Sequence, residues 1–502
     1  MAEQRRNSRS GSRLATASDN DYRPAAGVLL IAFMTTVCLA PLWFGSVTEL
    51  PFALNAALIG VLVTLCCGLW LLIPGYFEAD LSVVRLPAVL MLGVCLWMGV
   101  QISSDMPAEF WHPVWRRAQD IIGYGEIGAI SINPPLTRSC LLWFATIVGC
   151  FLLAFLFGAS GNQYMQIIQG IALCGSVLSL YGLVSWALAP DYVFWWHYPV
   201  QGGGHYVRST FINRNHFGAL AGLAALASTA LLRRSYMRQQ RPLGRSLAYR
   251  IEAAIQGLSG VSWVWLGATV VNLIAVAGTA SRGALVATAC GFGAMFAVLA
   301  MRNGSRWLAG ALGAGLATGV ALLMIWSGGD QLRARLDQEG LQSEGRYAVW
   351  KIATAAIGER PLTGYGAGTF SDVLPMFRNL TISKIGVWHQ VHNSYLEAVL
   401  GLGWPVAVLG LLALIVLIGR CARAAVQRQR GSSATALAVG ASALVALHSI
   451  VDFSLQIQSI AMIYAVLLGT GVAQSWSRNS SARVVPARTH RVATKAIPAS
   501  VR

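Results

Sequence analysis

The chain has 502 residues, 55% of them hydrophobic and only 11% charged. Soluble domains carry about 25% charged residues, so an array of soluble domains, for which the length would suffice, is set aside in favour of one integral membrane domain. Lys and Arg number 37 against 20 Asp and Glu, a net charge of +17, but the basic residues gather at the termini and between apolar runs. That is the pattern of positive-inside insertion, and no basic stretch interleaves with aromatics as a nucleic-acid-binding fold requires.

Residues 1–25, opening MAEQRRNSRSGSRLATASDNDYR, are polar and basic and read as a disordered tail. The apolar run that follows is long and has no suitably placed small-residue cleavage site, so it reads as a first membrane helix rather than a signal peptide. A spanning helix needs about 20 mostly apolar residues. Twelve stretches qualify: 26–45, 52–73, 83–101, 138–158, 165–189, 214–232, 261–279, 283–301, 307–326, 394–419, 434–450 and 456–474. The expected fold is an all-α integral membrane protein, with a polytopic domain over 26–476 and a second basic tail over 477–502.

Charge tests the count. With the Arg-rich N-terminus inside, alternation places Arg233, Arg234, Arg238, Arg241, Arg245 and Arg250 inside. Arg302, Arg306, Arg420, Arg423, Arg428, Arg430 and the tail after Trp476 fall there as well. An odd error in the count would put some of these clusters outside, so both termini are expected in the cytoplasm. Among the connections that the same alternation puts outside are those at about 102–137, 190–213, 279–282 and 327–393. The last is the longest and carries an amphipathic stretch, RYAVWKIATAAIGERP, and a Gly-rich turn, GYGAGTF. Loops of that length inside a compact protein are usually functional.

The nine cysteines fall mostly in or at the ends of apolar runs, with no CxxC pair and no His/Cys cluster at zinc spacing. They read as small apolar fillers, so no disulfide, metal or cofactor is expected. P-loop, GxSxG, HExxH and dinucleotide fingerprints are also missing from the sequence.

Five polar clusters remain as candidates for chemistry. RSTFINRNHFGAL brings Arg208, Asn213, Arg214, Asn215 and His216 to the start of a small-residue helix; it reads as a site wall or as a helix cap with an interfacial aromatic. TASRGAL puts Arg282 at an outer hairpin turn, where an arginine runs against positive-inside bias and can grip a phosphate through its two-pronged guanidinium; the plainer reading is an interfacial arginine that snorkels to water. Arg346 opens the amphipathic stretch of the long loop; the plainer reading is a solvated charge paired with Glu344. VWHQVHNSYLEAVLGLGWP closes that loop with His389, His392 and Asn393. A histidine at this boundary can exchange a proton near neutral pH, although a lone one is more often merely interfacial. LHSIVDFSLQ sets His448 and Asp452 at i and i+4, either a functional pair or glue between helices.

These motifs resemble, over about 205–460, the O-antigen ligase and O-antigen polymerase superfamily of bacterial envelope glycosyltransferases. The resemblance rests on TASRGAL, GRYAVWKIATAAIGERPLTGYGAGTF and above all HNSYLEAVLGLGWP, with HSIVDFSL and TFINRNHFG in the expected order. It implies a GT-C-like bundle of about twelve helices, in the bacterial inner membrane, with a large periplasmic loop before the tenth. The implied reaction moves a glycan from undecaprenyl diphosphate to an acceptor hydroxyl, without nucleotide sugar or metal, by inverting transfer. Lipid A–core is the acceptor in ligases. Polymerases of O-antigen or exopolysaccharide instead extend another lipid-linked repeat unit.

Carried over residue by residue, His392 matches the histidine of the ligase pattern, with Asn393 and Gly403 in register. The pattern has Gly, Thr or Tyr three residues further on, where this chain has Val406, a departure that bears on the ligase more than on the superfamily. Arg282 matches the arginine of the SRG turn, and Arg346 the arginine that opens the loop helix. The resemblance thus implies His392, Arg282 and Arg346 as the catalytic set. Arg208, Arg214, His216, His389 and Asn393 are expected to line the substrate cleft. The expected partners are the lipid-linked donor, a glycan or lipid A–core acceptor and membrane lipids, with no nucleic acid. A lipid-linked glycan transporter is the rival from another class; it would use a repeat architecture, which the sequence does not display.

Overall fold

The computed structural model describes residues 23–123, 128–160, 162–199, 205–237, 260–302, 346–379, 388–428 and 431–476. Among them are fifteen helices and one two-residue hairpin. In chain order the helices are α1 (Arg23–Leu39), α2 (Glu49–Leu72), α3 (Arg85–Ile102), α4 (Pro113–Ile122) and α5 (Pro134–Gly158). Next come α6 (Gln163–Leu188), α7 (Arg214–Met237), α8 (Gly260–Gly278), α9 (Arg282–Arg302) and α10 (346–359). The chain continues with α11 (Phe370–Phe377), α12 (Ser394–Leu402), α13 (Trp404–Gln427), α14 (Ser432–Val451) and α15 (Gln458–Ser475). Ten of these helices, α1–α3, α5–α9, α13 and α14, are long and apolar enough to cross a bilayer. The protein is an all-α, multi-pass integral membrane protein.

The bundle is built around α15, whose residues are all buried, and α7 and α14, which are mostly buried. α7 and α14 are rich in Ala, Gly, Ser and Thr, because lipid supplies no hydrophobic drive between helices and small residues let backbones approach. Where α9 crosses α14, a side-chain carbon on Gly440 would stand 2.7 Å from the Gly291 carbonyl oxygen, and one on Gly291 2.9 Å from that of Gly440. Neither position admits a larger residue without parting the helices.

Two of the expected spans turn out differently. The stretch expected to span over 394–419 is two helices, α12 and α13, broken at Gly403 (φ +79°), where a Cβ would overlap the Leu362 carbonyl. Pro405 in the first turn of α13 completes the break. The expected last span is present as α15, yet protein encloses its entire length, so its apolar sequence answers to protein packing and not to lipid. The expected ninth span, 307–326, lies outside the described residues, as do nearly all of both tails.

Two ends of the bundle are distinct. At one end lie the turns after α1, α6, α8 and α14 together with residues 103–123 and 128–133 and α10–α12, tied by Thr210 to the Pro41 carbonyl, Val207 to Gly278 and Gln101 to Gly401. At the other, Arg233 reaches Ser433 and Arg302 reaches Ser432. The described part of the long loop, 346–379 and 388–393, has its own core of Val349, Ile352, Ala353, Tyr365, Phe370 and Val391. The Gly-rich turn fastens this core to the bundle. Gln101, fully buried on α3, donates to the Thr363 and Gly401 carbonyls and accepts from Ala367 N–H.

Candidate active site

A cavity of about 720 Å³ opens at the loop-bearing end. The starts of α7, α9 and α10 and the end of α14 supply its walls. Each start has a local cause. Asn213 Oδ1 accepts the Asn215 N–H (2.8 Å) and begins α7. The α8–α9 turn is made by Thr279, whose hydroxyl accepts Ser281 N–H (3.2 Å), and by Ser281, whose hydroxyl accepts Ala284 N–H (3.2 Å). Ala280 between them takes φ +49°. In Gly283, a side-chain carbon would fall 3.2 Å from Val451 and 3.5 Å from His448 Nε2; the glycine of the SRG turn lets α9 lie directly against the end of α14.

Arg214, Arg282 and Arg346 all face this cavity, and among the described residues that line it Asp452 is the one carboxylate. Asp452 follows the last residue of α14 and is buried. Asn215 Nδ2 donates to its Oδ2 at 2.6 Å, and Phe453 N–H to its Oδ1 at 2.8 Å. His216 Nε2 stands 3.4 Å from Oδ1, within ion-pair reach but without hydrogen-bond alignment. Arg346 reaches Oδ2 at 4.0 Å and the Val451 carbonyl at 3.3 Å. Burial works to raise the Asp452 carboxyl, but the His216 contact and the neighbouring histidines outweigh it, and the group is held well below the usual carboxylate range.

His392 stands just behind this wall. Its ring meets Phe453 edge-on at 4.6 Å, the same ring that His216 meets at 4.6 Å from α7, and Trp388 closes the far side at 5.4 Å. Its Nδ1 is buried with no hydrogen-bond partner. Burial pushes the imidazole down to about 4, only partly offset by Asp452, with Arg346 and His216 adding to the depression; the ring is neutral at physiological pH and able to accept a proton. The backbone at His392 is left-handed, φ +56°. Such a conformation costs about 1–3 kcal/mol outside glycine and persists where the surroundings hold it.

The remaining expected cleft residues are placed as follows. Arg214 lies over the Tyr206 ring at 4.8 Å and lines the cavity. Arg208 is buried apart from the lining, its guanidinium donating to the Pro190 and Tyr198 carbonyls, where it fastens the 190–198 hairpin. His389 is exposed and outside the lining. Asn393 caps α12, its Oδ1 accepting the N–H groups of Tyr395 and Leu396 at 3.0 Å. Glu344, the alternative partner weighed for Arg346, lies outside the described residues. His448 and Asp452, four apart in sequence, do not pair through their side chains: His448 Nδ1 bonds the Ser454 hydroxyl at 2.8 Å, while Asp452 turns to α7 and α10. The sequence pattern points Asp452 to His448 and holds Asn215 only as one member of a polar cluster; the contact between Asn215 and Asp452 joins residues 237 apart, which no local spacing signals.

The fold and site together define a polytopic membrane protein with a cationic cavity at one end of the bundle, roofed by a loop with its own core. Residues 267–410 match the family model described as O-antigen ligase. The match covers under a third of the chain and supports its likeness to the O-antigen ligase and polymerase superfamily of glycosyltransferases. The match takes in Arg282, Arg346 and His392 and stops short of Arg214, His216 and Asp452 on the neighbouring helices. No curated protein matches the chain.

Proposed function

We propose that the protein transfers a glycan from undecaprenyl diphosphate to an acceptor hydroxyl at the periplasmic face of the bacterial inner membrane, as an O-antigen ligase. The observation that carries this reading is the cavity's charge: three guanidiniums and one carboxylate among the described residues that line it, with Arg214 and Arg282 each opening a helix. A helix N-terminus carries about +0.5 charge, so these cations sit where a cation is unfavourable and an anion is favoured. A second feature fits the lipid. Val286, Leu447 and Ile450 line the same cavity and are exposed on the flank of the bundle, an apolar approach for a polyprenyl chain beside a polar end for its diphosphate.

The chemistry follows. An acceptor oxygen attacks the anomeric carbon, the bond to the diphosphate oxygen breaks, and the leaving group gains charge in the transition state. Arg282 and Arg346, with Arg214 beside them, stabilise that charge. His392, neutral at pH 7, orients the acceptor hydroxyl and takes its proton. Asp452 holds Asn215 and Arg346 and balances part of the cationic charge between turnovers. One displacement inverts the anomeric centre. Arg208 is given the role of fastening the hairpin, and Asn393 that of capping the helix beside His392.

Arg233, Arg302, Arg420 and Arg428 gather at the far end of the bundle, and the positive-inside tendency supports a cytoplasmic placement for that end. Polymerisation of repeat units is the second reading, favoured by Val406, which packs with Val94, Met98 and Leu402 where the ligase pattern has Gly, Thr or Tyr. Purified protein in detergent, given lipid-linked glycan and lipid A–core, is expected to form glycosylated core. Extended lipid-linked glycan with untouched core would point to the polymerase, and no product from either acceptor would sink both.

A further inference from the structure

The sequence HNSYLEAVLGLGWP contains one acid, Glu397, which has so far received no role. It lies in the first turn of α12, one position too late to close a capping box with Asn393. Its carboxylate turns back instead and accepts the backbone N–H of Val391 at 3.0 Å. The Gln390 amide nitrogen donates to Glu397 and to the side-chain oxygen of Gln456, the orientation in which that nitrogen faces acceptors. Gln456 also hydrogen-bonds the Glu397 carboxylate.

These bonds join two segments that matter. Gln390 and Val391 immediately precede His392, and Gln456 ends the short turn Ser454–Gln456 that follows Asp452 and Phe453. Trp350, one helical turn beyond Arg346, donates to the Val391 carbonyl at 3.1 Å. The Val391 peptide is thus held on both faces, by Glu397 at its N–H and by Trp350 at its carbonyl. The very next residue is His392, with its left-handed backbone and its ring against Phe453. Burial raises the Glu397 carboxyl to about 7, against the Gln456 and Val391 hydrogen bonds, so an acid is kept here at a cost that a mere helix-start charge would not require.

We propose that Glu397 is a positioning residue for His392. It clamps the Val391 amide to the Gln390–Gln456 pair and so keeps the imidazole beside Phe453 and Asp452. The proposal rests on the reading that His392 serves the acceptor hydroxyl.

The test measures the hold and the activity separately. Full-length protein in detergent is treated with diethyl pyrocarbonate, and modification of His392, His216 and His448 is followed by peptide mass spectrometry. Glu397→Ala is expected to speed labelling of His392 by about fivefold or more while His216 and His448 keep their rates, the signature of local rather than global opening. Glu397→Gln keeps a carbonyl that can accept from Val391 N–H and is expected to stay within about twofold of the parent, a rescue that removal of bulk alone would not explain. In a strain lacking the gene, complementation by Glu397→Ala is expected to give about tenfold less transferred glycan, equivalent to about 1.4 kcal/mol.

Unchanged His392 labelling in Glu397→Ala overturns the proposal. If that variant loosens all three histidines together, Gln456→Ala, which removes only the far end of the clamp, repeats the test; uniform labelling there too overturns it. Full transfer by Glu397→Ala beside an inactive His392→Ala defeats the Glu397 role alone. Full transfer by His392→Ala defeats the acceptor reading instead, while the labelling still reports whether Glu397 holds the loop.

Discussion

The two ends of the bundle use arginine in opposite ways. At the far end, Arg234 and Arg302 occupy the last turns of α7 and α9, where the helix dipole favours a cation by about 0.3–1 kcal/mol. Arg302 and its neighbour Arg233 close on the hydroxyls of Ser432 and Ser433 at 2.7 and 2.8 Å. At the cavity end, Arg214 and Arg282 are the first residues of the same two helices, where the dipole opposes them by a similar amount. One pair of helices therefore carries a settled charge at one end and a poised charge at the other. In the proposed reading the far-end arginines mark the cytoplasmic side, while those at the cavity end, set against the helix dipole, favour a bound anion such as a diphosphate.

Substitutions at the cavity end should have the largest effects. His392→Ala is expected to lower glycan transfer by about 10²–10⁴-fold, the usual contribution of a general base, measured with lipid-linked donor and acceptor in detergent. Wild-type turnover in that variant would remove His392 from the chemistry. Arg282→Lys keeps the charge but loses the two-pronged grip, and a fall in turnover of about 10²-fold is expected from the loss of fixed transition-state stabilisation. The matched change at the other end of α9, Arg302→Lys, should leave turnover near wild type and shift stability by no more than about 0.5 kcal/mol. Equal losses from the two substitutions would erase the contrast between the ends.

Acid titration sharpens the same comparison. Burial holds the His392 imidazole down to about 4, below its ordinary value of about 6.5. The neutral, proton-accepting form therefore persists as pH falls from 7 to 5, and transfer limited by this base should drop only as pH approaches 4. The stability sign is set by the same shift: between about 6.5 and 4 the unfolded chain takes up a proton that the folded site resists, so His392's contribution is lost as pH falls through that window. A pH–rate profile with its acid limb near 6.5 would contradict the buried placement. A smaller, purely structural effect is expected at the α12–α13 break. Gly403→Ala puts a Cβ into the Leu362 carbonyl at positive φ and should cost about 1–3 kcal/mol, read as a lowered Tm in detergent.

Much of the architecture was legible because apolar run length is nearly a direct readout of bilayer thickness. Charge alternation likewise brought Arg214, Arg282, Arg346 and His392 to one side before any contact was known. The break at Gly403 was not legible, since the run stays apolar across it and hydropathy does not register a backbone angle. The enclosure of α15 escaped for a related reason: apolar residues serve a protein interior as well as a lipid face. Asp452 was misplaced in partnership, because i, i+4 spacing presumes a continuing helix and α14 ends one residue earlier. Asn393 carried a cap signal in its residue type alone, ahead of SYLEAVLGL.

From the sequence alone come the helical membrane class, the grouping of cationic side chains at one set of helix ends and the HNSYLEAVLGLGWP segment, because each depends on local composition read against a fixed slab of lipid. Tertiary structure alone decides that Asp452 turns to Asn215, His216 and Arg346, that Arg208 fastens a hairpin, and that Glu397 reaches back to the peptide before His392. Those partnerships depend on how close helices distant in sequence can pack, and on the glycines that permit the approach, which no local pattern encodes.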